Sequence, residues 1–170
     1  MGKLVQVATT TVTSAVASVT LTGIDSDDVY MLTVKDFQPE TNIVYPFMQF
    51  TESGTANPYA LYDYAFKNIK AAVAFSNMAA ANINYFYLLS EQLGTATQEK
   101  FNAIYYIYNA NNSSEYTFFT QESTALDHNS NALGTTGGGV FTNNSAVDGV
   151  KLYFSSGNIA SGTFTLYRCL

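Results

Sequence analysis

The stretch VDGVKLYFSSGNIASGTFTLYRCL (residues 147–170) holds two short runs of alternating residues around a turn-rich centre. In the first run Val150, Leu152 and Phe154 share one face, against Lys151, Tyr153 and Ser155; in the second, Phe164 and Leu166 align. Successive side chains of a strand point to opposite faces, so each run reads as a strand with one buried side. SSGNIASG (residues 155–162) then reads as the tip between the last two antiparallel strands. Gly157 and Gly162 permit positive φ there, and Asn158 tolerates a left-handed conformation. A chain finishes on such a strand when that strand closes a sandwich.

The same alternation recurs upstream. It pairs Val5 with Val7, and lines up Ala17, Val19 and Leu21, then Tyr30, Leu32 and Val34, then Tyr62, Tyr64 and Phe66. IVYPFMQFTE (residues 43–52) is apolar on both sides, as a central strand is, and its Pro46 is expected at a bulge or an unpaired edge. FNAIYYIYNA (residues 101–110) is also apolar on both faces, with Ile104, Tyr106 and Tyr108 against Phe101, Tyr105 and Ile107. TGIDSDD, ESGTANP, NANNSS, LGTTGGG and NNSAVDG supply turn chemistry between the runs. Eight or nine short strands with regular turns predict an all-β, antiparallel sandwich or barrel in one domain spanning residues 1–170. Helix is expected in at most one or two short pieces. Alanine content permits one in YAFKNIKAAVAFSNMAAA (residues 64–81), and GTATQEKF (residues 94–101) is the other candidate. TTGGGV (residues 135–140) reads as a flexible loop.

Composition narrows the function. The 170 residues include one cysteine, Cys169, which cannot form an internal disulfide. Charged residues make up 12% of the chain, about half the usual share of roughly 25%. With a net charge of -6 and seven Lys and Arg in no cluster, nucleic-acid binding is not expected. No signal peptide is read at the start, and no apolar run reaches the roughly 18 residues of a membrane span. The surface must be largely Thr, Ser, Asn, Gln and Tyr, which suits packing against other protein copies or against sugars.

Catalytic motifs are scarce. His128 lies beside Asp127, but neighbours on an extended chain point apart and cannot form a triad by adjacency. DSDD (residues 25–28) gathers three carboxylates that could attract calcium, yet lacks the glycine and distal glutamate of an EF-hand loop. Asp36, Glu40, Glu52 and Asp63 are the candidates for an acid–base pair, and nothing singles out two of them. The NxS sequons at Asn111 and Asn112 matter only in a secreted eukaryotic protein. No catalytic residue, cofactor or metal is expected.

The 13 tyrosines carry two readings, because tyrosine fills sandwich cores and is enriched at interfaces. YFYLL (residues 85–89) and IYYIY (residues 104–108) place aromatics on both strand faces. One face is core, and the other needs a loop, a second sheet or another subunit. Tyr85, Tyr87, Tyr106 and Tyr108 are therefore the interface candidates. Residues 1–14 form a threonine-rich, β-prone arm that pairs at home or with a neighbour's open edge.

The final stretch resembles the C-terminus of a family of small structural proteins of tailed-phage virions. Their last strands read as a hydrophobic-x-hydrophobic run, then SGNIASGTF, then LYG. The matching residues are Val150, Leu152, Phe154, Ser156, Gly157, Asn158, Ile159, Ser161, Gly162, Phe164, Leu166 and Tyr167, while Arg168 replaces the family's final glycine. VYMLTVKDFQPETNIVYPFMQFTESGTANPYALYDYAF (residues 29–66) follows the family's order of strands and turns. The resemblance implies a jelly-roll sandwich whose fold-defining residues here are Val150, Leu152, Phe154, Gly157, Gly162, Phe164 and Leu166. It also implies a place on the virion surface after assembly in the host bacterial cytoplasm. The expected role is a capsid decoration (cement) protein, a homotrimer bound to the major capsid protein or another virion protein. The alternative is a tail-fibre or spike-tip module that binds host glycan.

Overall fold

A computed structural model describes residues 2–71 and 73–170. It is all-β, with no helix among the described residues. Thirteen strands follow in order: β1 (Leu4–Val12), β2 (Ser18–Thr22), β3 (Val29–Pro39), β4 (Pro46–Glu52), β5 (Thr55–Ala56), β6 (Tyr62–Lys70), β7 (Val73–Ile83), β8 (Phe86–Tyr87), β9 (Phe101–Tyr108), β10 (Thr117–Leu126), β11 (Ala132–Phe141), β12 (Gly149–Phe154) and β13 (Ile159–Cys169). They form an eight-stranded sheet, β1-β13-β3-β9-β10-β11-β6-β7, and a smaller sheet, β2-β12-β4-β5, in which β8 also pairs with β4.

The winding is read from four antiparallel pairs: β1 with β13, β2 with β12, β3 with β9, and β4 with β8. The first four strands alternate between the sheets, and their partners return in reverse order. Two four-stranded layers result, β1-β13-β3-β9 and β2-β12-β4-β8, which is the jelly-roll arrangement. The runs expected as strands from sequence fall in β1–β4, β6, β9, β10, β12 and β13, so they include seven of these eight. The strands beyond the eight are β5–β7, inserted between β4 and β8, and β10–β11, inserted between β9 and β12. Four of the inserted strands widen the large sheet beyond β9.

The C-terminal core is as expected. Val150, Leu152, Phe154, Phe164 and Leu166 are all buried. Phe37 from β3 joins the layers, with its ring 4.2 Å from Phe154 in the small sheet and 5.2 Å from Phe164 in the large one. Gly157 and Gly162 have φ of 71° and 152°, so both use their freedom from a Cβ. Two details of the motif differ. Asn158 is not among the positive-φ residues. The SSGN segment is not a hairpin tip, because β12 and β13 lie in different sheets. It arches across the sandwich, and Glu40 N donates to Asn158 O at its crest. The N-terminal arm pairs at home over Leu4–Val12: β1 runs along β13, where Thr9 and Thr165 hydroxyls meet at 2.9 Å.

Four local expectations are overturned. Residues 64–70 and 73–81 are not helical but belong to the antiparallel strands β6 and β7, and residue 72 lies outside the described residues. Tyr62, Tyr64, Phe66 and Asn68 face inward at period two, and that burial outweighs the helix preference of the alanines that follow. Residues 94–100 form a turn that leads into β9 because side chains claim the backbone groups a helix would use. Ala96 N donates to Glu99 Oε2, and the Thr95 and Ala96 carbonyls accept from Gln38 Nε2. Pro46 sits at neither a bulge nor an unpaired edge; it opens β4 opposite Phe154, a strand-start position proline also tolerates. TTGGGV is no loop: it lies within β11, paired on both sides. A Cβ at Gly139 would lie 2.6 Å from the Phe119 ring and 2.9 Å from the Phe86 ring, so the bare strand is what lets these aromatics close on it.

Two substitutions test this packing by urea denaturation. Leu166→Ala is expected to destabilise by about 2–5 kcal/mol through the cavity it leaves. Gly139→Val, which adds volume where two rings already meet the backbone, is expected to cost about 1–3 kcal/mol. A Gly139→Val protein as stable as the parent would contradict the close approach of Phe119 and Phe86.

Candidate interaction surface

The small sheet covers the inner side of the large one, and the large sheet's outer side is left open. Alternation decides what stands there. On β9 the outward residues are Ile104, Tyr106 and Tyr108, while Ala103, Tyr105 and Ile107 are buried. On β10 they are Phe118, Thr120 and Glu122, set opposite Tyr108, Tyr106 and Ile104 respectively. On β11 they are Thr136, Gly138 and Val140, and on β6 Asp63, Ala65 and Lys67.

These registers make rows across the sheet. One row runs Met31, Tyr106, Thr120, Gly138, Ala65, Ala79, and it falls from an aromatic ring to residues with almost no side chain. A shallow depression of about 500 Å³ follows, with Gly138, Gly139 and Ala65 as its floor and Tyr108, Phe118 and Val140 at its side. A second hollow of about 440 Å³ adjoins it, lined by Ile104, Tyr106, Thr120, Glu122 and Thr136. Ile104, Tyr106 and Phe118 are 42–44% exposed, far more than apolar side chains of a closed core. Charges are few and of both signs. Asp63 accepts from Asn82 N, and Lys67 bonds Asn77 and lies 5.7 Å from the Phe75 ring centre.

The four tyrosine candidates therefore separate. Tyr106 and Tyr108 stand on this open face. Tyr85 and Tyr87 lie elsewhere, half-buried in an aromatic cluster on the small sheet. Tyr85 stacks on Phe47 at 4.1 Å, and Tyr87 meets Tyr45 and Phe47 edge-on at 5.2 and 4.8 Å. Tyr153 joins at 5.6 Å from Phe47, with Lys151 Nζ 5.0 Å from its ring centre. Burial, and then the neighbouring Tyr85, pushes the Tyr153 hydroxyl up to about 12, so it stays protonated in neutral solution. Phe118 and Phe75 were not singled out from sequence. The alternation in YTFFTQ, which turns Phe119 inward, was the available clue to Phe118.

The candidate chemical groups are held in structural roles. Asp127 is buried and accepts from Asn129 N, Asn131 N and the Asn131 amide, with Lys70 Nζ at 3.4 Å. His128 turns away, its Nδ1 3.3 Å from Gln92 O, so the pair organises a loop. The DSDD carboxylates are each held by other side chains. Asp28 takes Arg168 and Ser26, Asp25 takes Arg168 and Tyr30, and Asp27 takes Asn112. Hydrogen bonds from Ser26 and then Arg168 hold the Asp28 carboxyl below its ordinary value. Arg168, the departure from the resembled motif, thus ties the last strand to the β2–β3 loop. Asp36, Glu40, Glu52 and Asp63 each bond to different groups: Lys100, Asn158, the set Asn57, Asn143 and Ser145, and Asn82. Among the described residues no three His, Cys, Asp or Glu side chains are grouped as a metal would need.

The chain matches no family model, and it matches no curated protein.

Asp127 offers a pH test. Burial raises its carboxyl, but the bonds from Asn131, Asn129 and Lys70 outweigh that and leave it below its ordinary value. A lowered carboxyl stabilises the fold above the usual carboxylate range, and that contribution is lost as pH falls through the folded value. Asp127→Ala is expected to cost about 2–4 kcal/mol at pH 7 and to flatten the acid side of the stability curve. Urea unfolding from pH 7 to pH 3 reads both effects.

Proposed function

We propose that the protein is a structural component of a tailed-phage virion, a head decoration protein that binds the capsid lattice as a homo-oligomer through the outer face of its large sheet. The observation that carries this is the open, charge-poor face bearing Ile104, Tyr106 and Phe118. Aromatic and aliphatic anchors at the centre of an interface, with charges toward its rim, supply most binding energy in stable complexes. Asp63, Lys67 and Glu122 are suited to that rim. A protein that binds only the assembled shell stabilises it by mass action, so no chemistry is required of it. The carboxylates and the histidine are engaged in holding loops, which supports a binding role over a catalytic one. The resemblance of residues 147–170 to phage virion proteins supplies the identity of the partner, the major capsid protein.

A second reading has its own observation. The hollow beside Phe118 sets exposed rings next to Thr120 and Asp63, and sugars stack on rings while bonding to hydroxyls and carboxylates. In that reading the protein sits at a fibre or spike tip and takes host glycan.

Copy number separates the two. Quantitative mass spectrometry of purified virions is expected to give a ratio to the major capsid protein near one. A ratio far below that favours the tail reading, and absence from the particle overturns both. Phe118→Asp, placed on an exposed site, is expected to leave the fold intact and to weaken binding to undecorated heads by at least about tenfold.

A further inference from the structure

The large sheet ends on β7, which pairs only with β6. Its sequence, VAFSNMAAANI, has no charge and no proline across 11 residues. Sheet edges are normally protected by charge, proline, shortness or cover, because their free backbone groups pair with any suitable strand. The opposite edge, β1, is likewise free of charge and proline, but it is shorter, nine residues, and a register irregularity between Gln6 and Ala8 interrupts its middle. At the small sheet's edge β5 and β8 are two residues each. β7 is thus a neutral edge, regular from Ser76 to Ala80 between two register irregularities.

We infer that β7 pairs antiparallel with β7 of a second copy of this chain, about a two-fold axis at Asn77. The sequence is complementary to itself in that register. Phe75 stands opposite Ala79 of the other copy and Ser76 opposite Met78, so large meets small on both faces. Phe75 is 67% exposed in the single chain, and Ala79 leaves room for it. The central Asn77 amides each offer a donor and an acceptor, which lets them bond to one another. No charged residue lies on the strand itself; the nearest charge, Lys67 on β6, reaches Asn77 Oδ1 at 3.2 Å and must swing outward as the Asn77 amides meet, so the strand complements itself in size and polarity. A second copy fits this edge better than an unrelated strand for that reason: a C2 contact requires one patch to complement itself. With the axis perpendicular to the sheet, the outer faces of both copies lie on the same side. Two eight-stranded sheets become one continuous surface, and the face bearing Tyr106 and Phe118 is doubled. The pairing does not depend on what that face binds.

The test uses the full chain in solution. Light scattering after size exclusion is expected to show a dimer, twice the 18.5 kDa of the chain. Ala79→Lys places two like charges across the edge and is expected to weaken the dimer by about tenfold or more, with circular dichroism unchanged. Asn77→Cys in a Cys169→Ser background is expected to give a covalent dimer on mild oxidation, because residues facing each other across an antiparallel pair lie within disulfide reach. A monomer or a trimer in the parent protein overturns the inference. So does a dimer that Ala79→Lys leaves unchanged, or an Asn77→Cys protein that does not cross-link.

Discussion

Everything in this fold waits on β13. It lies between β1 and β3 in the large sheet, so the first nine-residue strand has no partner in that sheet until the last strand arrives. The pairs Leu4 with Cys169 and Val12 with Gly162 close nearly the whole length of the chain. Phe164 and Leu166 then complete the layer that Phe37 joins to Phe154. Contacts of such sequence separation carry a large loop-closure entropy before they return any burial, and folds dominated by them form slowly. The residues of the terminal motif are buried because they are where the two ends of the wound ribbon meet. Arg168 adds a tether beyond the core by drawing the β2–β3 loop onto the same strand.

The inserted strands follow a different logic. Once β10, β11, β6 and β7 extend the large sheet past β9, the small sheet must cover a wider inner surface with short pieces. Phe50, Phe86, Phe119, Phe141 and Tyr62 meet over this region at ring distances of 4.6 to 6.4 Å. Two of these rings, Phe119 and Phe86, leave no room for a side chain at Gly139, and at Gly137 the β6 backbone and Phe66 close on the strand in the same way. Gly138 between them faces out, and the hollow on the outer face follows from its missing side chain. A packing constraint inside the sandwich and a depression outside it therefore share one glycine run.

Legibility in the sequence tracks the amphipathic pattern. β9 alternates cleanly, and the buried positions Tyr30, Leu32, Val34, Val150, Leu152, Phe154, Phe164 and Leu166 of β3, β12 and β13 were readable, although irregularities in β3 and β13 break the period nearby. The glycines of β11 misled because glycine usually marks a turn, and nothing local reveals that aromatics from three other strands press against that backbone. The alanines of β7 misled because alanine favours helix in isolation, whereas here an edge strand needs only a partner on one side. The separation of β12 from β13 was hidden because a short glycine-rich link suits an arch between sheets as well as a hairpin within one. Of the surface, Tyr106 and Tyr108 were legible from period two alone. Tyr85 and Tyr87 obey the same period but meet an aromatic cluster, and only the tertiary fold distinguishes the two cases.

Scarcity of charge ties the surface together. A sandwich that used lysine and glutamate in the ordinary way would guard β7 with them and scatter them over the outer face, and it would stay apart from its own copies. This chain leaves β7 without any charge and places Thr, Gly, Ala and aromatic residues over most of the outer face, with Asp63, Lys67 and Glu122 among them. The few charges it has are largely engaged in fixing loops: Asp127 with Lys70, Asp25 and Asp28 with Arg168, Glu52 with Asn57 and Asn143. Neutral, flat and uncovered surfaces are a hazard for a freely diffusing monomer and a requirement for a subunit that must meet neighbours over a broad face. The net charge of -6 still sets copies to repel at long range, so the association proposed here would depend on close fit along strands and faces and not on attraction from a distance.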